Sequence, residues 1–284
     1  MQGAFVSSEL PESRWTWHRP WSWATPPRCA VFDFDGTLSL VRGGWTDIMV
    51  SMMVDQLRTL SRTTEDPRTL QAYVRHYVLG LNGKPTIYQM RRFAEEISAR
   101  GGQPDDPSQY HREYLRRLGL RVEERKARIR SGDATPDDLL VPGARSFLTA
   151  LANAGVELTL ASGTEIEFIQ EESRILQIAD FFEGRIFGPG IDPAAFSKRQ
   201  VMRDLLSRHG ITGQAFIGVG DGVVETLDAS ELGGLSIGVA SDELHRSGQL
   251  EPWKRDRLVE SGAHLIIPDY ADAEELTNHL LKAR

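Results

Sequence analysis

From about residue 143 onward, the sequence alternates short apolar runs with segments of helical length, and this alternation constrains the fold more than any other feature. The apolar runs include "VELTLAS" (156–162), "AFIGVG" (215–220), "LSIGVA" (235–240) and "AHLIIP" (263–268). Nearly continuous apolar strands that alternate with helices are typical of parallel sheets covered by helices on both faces. We therefore predict an α/β fold with a Rossmann-like parallel sheet at its core.

A further strand is predicted well before these, at "RCAVFDFDGTL" (28–38). The residues that follow it favour helices, because apolar positions recur at helical spacing and because Asp66-Pro67 is a typical helix start. We predict an α/β core formed by residues 29–40 and 135–284. Residues 41–134 are predicted to form an inserted helical domain.

The first 28 residues hold an unusual number of tryptophans. Trp15, Trp17, Trp21 and Trp23 account for four of the six in the chain. A disordered tail is normally poor in aromatic residues, so we expect this N-terminal arm to pack on a surface. That surface belongs either to its own domain or to a second copy of the chain. In the second case the arm would support a homodimer.

Composition narrows the class of partner and the compartment. The net charge of -7 and the pI of about 5.6 argue against a nucleic acid or an anionic membrane as partner. No apolar run reaches the length of a membrane span, and the N-terminus lacks the basic and apolar blocks of a secretory signal. The single cysteine, Cys29, excludes an internal disulfide and indicates a buried apolar role in a reducing compartment. We expect a cytoplasmic protein.

Polar side chains follow several of the predicted strands. Asp33 and Asp35 lie in the first strand, Ser162 and Gly163 follow another, and Asp221 follows "AFIGVG". Burying a carboxylate is costly unless it is paired, hydrogen-bonded or bound to a metal. Since ligands of parallel sheets bind at the carboxyl ends of the strands, these side chains are predicted to converge there.

The residue types predict phosphoryl chemistry. Carboxylates together with phosphate oxygens form the hard oxygen site that Mg²⁺ prefers. Lys198, at the start of a helix, can neutralise a carboxylate or a phosphoryl group, and Ser162 with the neighbouring N–H groups can bind phosphoryl oxygens. One carboxylate can act as a covalent nucleophile, and a second can move the proton of the leaving alcohol.

Two other readings of these segments fit the residues less well. A calcium loop would need a third Asx residue before its glycine, in a helix–loop–helix setting, whereas Gly36 here follows a strand. A dinucleotide loop at "GVGDGV" would need a third glycine where Val223 stands.

The segments "DFDGT", "ASGT", "SK" and "GDGVVE", in this order, resemble the four motifs of the haloacid dehalogenase superfamily. The resemblance covers residues 28–40 and 135–270. The helical insertion between the first and second motifs is similar to the cap domain of that superfamily. The resemblance thus implies an α/β core with an inserted α-helical cap.

The resemblance also implies roles for the residues of these motifs. It makes Asp33 the nucleophile, Asp35 the general acid and base, and Lys198 the group that stabilises Asp33 and the transferring charge. It gives Ser162 and Gly163 to phosphoryl binding.

A Mg²⁺ ion is implied as well. Its ligands would be Asp33, the main-chain carbonyl of Asp35, and Asp221. Glu225 would orient a bound water or bind the ion directly. The family more often has Asp at this position, and the longer side chain of Glu leaves both roles open.

These observations predict a magnesium-dependent phosphatase that acts on a small phosphorylated metabolite through an aspartyl-phosphate. A phosphomutase acting on a sugar phosphate stays open as an alternative, as does a non-catalytic protein that binds a phosphometabolite or serves in an assembly. Cleavage of a carbon–halogen bond is disfavoured, because dehalogenases of the family lack the second aspartate. A sugar-like phosphate monoester is the expected substrate from family tendency, and Arg42, Trp45 and Lys84 are the candidate specificity residues of the cap.

Overall fold

The computed structural model describes residues 14–23, 25–81, 86–190 and 196–281 of the chain. The chain divides into two compact units. One consists of Met1–Leu40 with Pro136–Arg284 and is called the α/β unit below, and the other, Val41–Thr135, is called the helical unit.

The helical unit contains four helices among its described residues. They are α1 (Trp45–Leu57), α2 (Pro67–Gly80), α3 (Ile87–Ala99) and α4 (Pro107–Ser131). The starts of α2 and α4 follow the same local rule, an aspartate N-cap followed by proline. Asp66 accepts hydrogen bonds from the N–H groups of Arg68 and Thr69, at 3.0 and 3.2 Å, and so satisfies donors that the first helical turn leaves free. The helical character predicted for this insertion is confirmed.

The α/β unit is built on a seven-stranded sheet in its described part. The strands are β1 (Thr16–Trp17), β2 (Cys29–Phe32), β3 (Glu157–Ala161), β4 (Ile186–Phe187), β5 (Phe216–Gly220), β6 (Leu235–Val239) and β7 (Leu265–Ile267). Their order across the sheet is β1-β7-β6-β5-β2-β3-β4, and all neighbouring pairs except β1–β7 are parallel. The predicted α/β class with a Rossmann-like parallel sheet is therefore confirmed, and β2 lies between β5 and β3 near its centre.

The helices of the α/β unit follow the strands in alternation. They are α5 (Ala144–Asn153), α6 (Ile166–Ile175), α7 (Lys198–His209), α8 (Val223–Glu231), α9 (Pro252–Glu260) and α10 (Ala273–Leu281). Every residue of β2, β5, β6 and β7 is buried, as expected of strands inside a parallel sheet. In the described residues of both units, no helix combines the length and apolar character needed to cross a bilayer.

The first strand is shorter than the sequence predicts. It ends at Phe32 and does not continue to Leu38, so Asp33 and Asp35 follow the strand and are not part of it. The chain turns here because the carbonyl oxygen of Phe34 accepts hydrogen bonds from the N–H groups of Leu38 and Ser39, at 2.9 and 2.8 Å. Asp35-Gly36 marks a turn in the sequence, but the apolar residues Phe34 and Leu38 beside it hide that the strand has already ended at Phe32.

Among the strands and α-helices of the described residues, two were not predicted from the sequence, β1 and α9. The edge strand β1 pairs antiparallel with β7, and Trp15 and Trp23 on either side of it are buried. The described part of the N-terminal arm thus packs on the sheet of its own chain. The homodimer that the arm could support stays a prediction. The helix α9 carries one sequence signal, a proline at its first position, Pro252.

Candidate active site

Three neighbouring strands of the sheet end in polar residues at the same edge. Asp33 follows β2, Ser162 follows β3, and Asp221 follows β5. Lys198 is the first residue of α7, and Glu225 is the third residue of α8. The parallel arrangement brings these residues together although they are far apart in the sequence.

Lys198 joins two of these acids. Its ammonium nitrogen lies 2.8 Å from Oδ1 of Asp33 and 3.2 Å from Oε2 of Glu225. Main-chain donors fix the two carboxylates further: Phe34 N–H donates to Asp33 Oδ1 at 2.8 Å, and Gly222 N–H donates to Glu225 Oε1 at 2.8 Å. The first acid of the turn and the acid of α8 therefore share one buried cation.

A second lysine forms a similar bridge beside the first. The ammonium of Lys254 lies 2.8 Å from Oδ2 of Asp221 and 2.6 Å from Oε1 of Glu243. Neither Lys254 nor Glu243 was predicted from the sequence, because Lys254 lies on the overlooked helix α9 and Glu243 on the connection before it. Pro252 indicates where the helix begins, but no feature of the sequence indicates that Lys254 and Glu243 lie beside Asp221.

The donor set suits a hard divalent cation. Asp33, Asp221 and Glu225 each offer a carboxylate oxygen, and the three oxygens lie within 4.8 Å of one another. The two bridges together contain four carboxylates and two ammonium groups, so the fully ionised cluster carries a charge of 2 − 4 = −2. Buried charge of this kind is expensive unless it is compensated, and one divalent cation would compensate it.

The pKa values follow from burial and from the two lysines. Burial raises the pKa of Asp33 well above its ordinary value, and Lys198 only partly opposes this. Burial also raises the pKa of Asp221, to about 6, against the opposing charge of Lys254. Glu225 differs: burial acts to raise its pKa, but the charge of Lys198 and its hydrogen bonds outweigh burial and lower it. Additional positive charge would keep Asp33 and Asp221 ionised near neutral pH.

Both lysines stay charged in this setting. Burial acts to lower the pKa of Lys198, but the carboxylates of Asp33 and Glu225 outweigh it and raise that pKa above its ordinary value. Asp221 and Glu243 raise the pKa of Lys254 in the same way, also against burial.

Gly36 makes room for Asp221. Its φ of +73° lies in the left-handed region, and a Cβ at this position would lie 2.2 Å from Oδ2 of Asp221. Ser241 donates from its hydroxyl to the carbonyl oxygen of Gly36 at 3.1 Å and holds the turn in place. The glycine of "DFDGT" is therefore required both for the turn and for the close approach of the acid.

Asp35 lies outside the two lysine bridges. Thr164 donates from its hydroxyl to Oδ2 of Asp35 at 2.7 Å. The N–H of Thr164 donates to Oγ of Ser162 at 3.1 Å, which leaves the proton of that hydroxyl free to donate elsewhere. Around Gly163, nothing lies within 4 Å of where a Cβ would be, so the loop has open space beside Ser162. Thr164 is the last residue of the "ASGT" segment, and nothing in the sequence predicts its contact with Asp35.

The candidate specificity residues fall in a different unit. Arg42 and Trp45 belong to the helical unit, where Trp45 is the first residue of α1 and both side chains are half-buried. Lys84 lies outside the described residues.

Comparison with known proteins identifies the family of this chain. A family model described as haloacid dehalogenase-like hydrolase matches residues 27–231, which include every motif residue described above. No curated protein matches the chain.

Several solved structures share the fold. One is a haloacid dehalogenase family hydrolase from Deinococcus radiodurans R1 with bound phosphate and sodium, which is 17% identical and covers 92% of this chain and 100% of its own, with a TM-score of 0.57. A predicted phosphoglycolate phosphatase from Haemophilus somnus is 15% identical over 89% of this chain and 99% of its own, with a TM-score of 0.54. A candidate β-phosphoglucomutase from Thermotoga maritima is 15% identical over 89% and 100% of the two chains, with a TM-score of 0.53. At these identities the likeness concerns the fold alone.

Proposed function

The chain belongs to the haloacid dehalogenase-like hydrolases, and on that premise we propose that it is a magnesium-dependent phosphatase acting on a small phosphorylated metabolite. The substrate in this proposal is a sugar-like phosphate monoester, and the reaction passes through an aspartyl-phosphate on Asp33. The observation that carries the proposal is a buried aspartate at the end of the central strand, 2.8 Å from a lysine and beside two further carboxylates.

The acids at the strand ends are proposed to hold the Mg²⁺ ion. Asp33, Asp221 and Glu225 would contribute carboxylate oxygens, and Asp35 its main-chain carbonyl oxygen. When bound, the ion supplies positive charge to the phosphoryl oxygens. The charge of −2 that remains after both lysines are counted supports this assignment.

In the first half of the reaction the carboxylate of Asp33 attacks phosphorus. A bond forms between its oxygen and phosphorus while the bond from phosphorus to the ester oxygen breaks, and Asp35 gives its proton to the departing alcohol. The hydrogen bond from the Phe34 N–H holds the nucleophile at the strand end. Lys198 favours its ionised form and offsets negative charge that develops on the phosphoryl group.

In the second half a water molecule hydrolyses the aspartyl-phosphate. Asp35 takes a proton from the water, the water oxygen bonds to phosphorus, and the bond between phosphorus and Asp33 breaks to release phosphate. The hydroxyl of Thr164 fixes the direction of the Asp35 carboxyl group in both halves. Ser162 and the N–H of Gly163 are the proposed partners of the phosphoryl oxygens, and the open space at Gly163 supports this.

The test is phosphate release from an aryl phosphate by the purified chain. We expect activity with Mg²⁺ and none after chelation. Asp33→Asn removes the nucleophile and should lower kcat by about 10⁴-fold or more, as loss of a nucleophile does in other enzymes. Glu231→Gln changes an exposed acid at the end of α8, and it should leave kcat unchanged. Near-wild-type activity of Asp33→Asn would contradict the mechanism.

Product analysis separates the two remaining alternatives. A phosphomutase would convert a sugar phosphate into an isomer without releasing phosphate in equal amount, and a non-catalytic binding protein would do neither. A panel of phosphorylated metabolites then tests the substrate class. We propose Arg42 and Trp45 as specificity residues, so Arg42→Ala and Trp45→Ala should change the preference within the panel but not the rate with the aryl phosphate.

A further inference from the structure

Lys254 is a largely buried cation that the proposed mechanism does not use. It lies on α9, outside the four motif segments, and its side chain is only 11% exposed. Its ammonium nitrogen is placed between two carboxylates, 2.8 Å from Asp221 and 2.6 Å from Glu243. A lysine with two acidic partners at such distances occupies the position that a compact cation would take between them.

The surroundings hold this position in place. Oδ2 of Asp221 and Oε1 of Glu243 both border Gly36, where a Cβ would lie 2.2 Å from the first oxygen and 3.0 Å from the second. The two acids therefore pack on the backbone just after Asp35, and the ammonium of Lys254 completes the group. Without it, two half-buried carboxylates, 18% and 15% exposed, would face each other unpaired, a costly arrangement that a divalent cation would relieve.

We propose that Lys254 is a fixed second cation of the active site, taking the position between Asp221 and Glu243 that a second divalent ion would otherwise take. It thereby limits the acidic cluster to one ion, held by Asp33, Asp221 and Glu225. The inference rests on the proposed function, because it concerns the number of ions that the phosphatase site binds.

Lys254 can affect the number of bound ions because the metal position and the lysine position share one ligand, Asp221. Asp221 belongs to the metal-ligand set on one side and to the lysine bridge on the other. If Lys254 is removed, Asp221 and Glu243 become a second pair of hard oxygen ligands next to the first set. Phosphoryl-transfer enzymes with two adjacent metal ions are common, so a site that shares one carboxylate can accommodate two.

The experiment counts bound Mn²⁺ in the full-length chain from the electron paramagnetic resonance signal of the free ion. Lys254→Met keeps most of the stem and removes the charge, and we expect the stoichiometry to rise from one ion per chain to two. The double variant Lys254→Met/Glu243→Gln also removes Glu243, one of the two ligands of the additional ion, and should return the stoichiometry to one. Arg255→Met removes a positive charge from the same helix, where the side chain is 41% exposed and pairs with Asp256, and should leave it at one.

A stoichiometry of one for Lys254→Met would overturn the inference even if the wild-type chain binds Mn²⁺ and releases phosphate. If the wild type binds no Mn²⁺ but Lys254→Met binds one ion that Glu243→Gln abolishes, Lys254 does take the position of an ion between Asp221 and Glu243, and the proposed metal-dependent function fails. If Lys254→Met does not fold alone, the inference requires that Mn²⁺ restore the folded state in circular dichroism and that the double variant fold without it. Failure of Mn²⁺ to restore it would overturn the inference.

Discussion

The α/β unit and the helical unit each bury a group of charged side chains, and the two groups differ in net charge. In the helical unit, Glu96 is 4% exposed and contacts Arg92 and Arg100, while Arg100 also lies 2.7 Å from Glu65. Apart from the exposed Glu95, which pairs with Arg92 at 3.1 Å, two acids are matched by two arginines, and the hydroxyl of Tyr73 adds a hydrogen bond to Glu96 at 2.7 Å. We call these residues the Glu96 cluster.

The cluster at the strand ends is not neutral. Its four carboxylates face only two lysines, and the burial of two of the acids raises their pKa values. Charges that serve the fold are compensated within the protein, as in the Glu96 cluster. Charges that serve a reaction are left uncompensated for a ligand, which is why perturbed pKa values mark functional sites.

The largest effect on stability is expected in the helical unit. Glu96→Gln removes the buried acid that two arginines share. Because Arg100 keeps Glu65 as a partner, we expect a cost of about 2 kcal/mol of unfolding free energy, the size of a hydrogen bond to a charged group. Chemical denaturation measures this. The control is Glu95→Gln on the same helix, where the side chain is 66% exposed and the cost should stay below about 0.5 kcal/mol. Equal costs for both variants would remove the distinction between the two clusters.

An intermediate effect is expected at Asp35, which is not part of the Lys198 bridge or the Lys254 bridge. Thr164→Val removes the hydroxyl that holds it and should lower kcat by about 10-fold, the equivalent of one hydrogen bond of about 1.4 kcal/mol to a charged group. Thr164→Ser keeps the hydroxyl and should retain most of the rate. If the valine variant loses folding stability but not kcat, the hydroxyl serves the fold and not the acid.

The smallest expected effect is a gain in stability, whereas the substitution in the helical unit is expected to reduce stability. In metal-free protein, Asp33→Asn removes an acid from a cluster with excess negative charge, so we expect Tm to rise by about 2–4 °C. Added Mg²⁺ should raise Tm of the wild type more than that of the variant, since the variant lacks one ligand. A fall in Tm of the metal-free variant would show that Asp33 serves the fold as Glu96 does.

Much of the architecture could be read from the sequence. Helical and strand periodicities are local, so the alternation of elements and the insertion after the first motif were predicted from side-chain pattern. The errors were local as well. The sequence predicts the first strand to Leu38, whereas main-chain hydrogen bonds to Phe34 end it at Phe32, and no side-chain pattern records which carbonyl oxygen those bonds use. The helix α9 was overlooked although Pro252 marks its start.

The sequence by itself determined which acids lie near the strand ends, because Asp33 and Asp221 each stand beside a recognisable apolar run. Only the tertiary structure decided which cation each acid meets. Lys254 lies 33 residues from Asp221, and its contact with the acid depends on how α9 packs beside the sheet. Electrostatic pairing is a property of distance in space, and a charge of −2 at the strand ends emerges only once the two lysines have been placed among the four carboxylates.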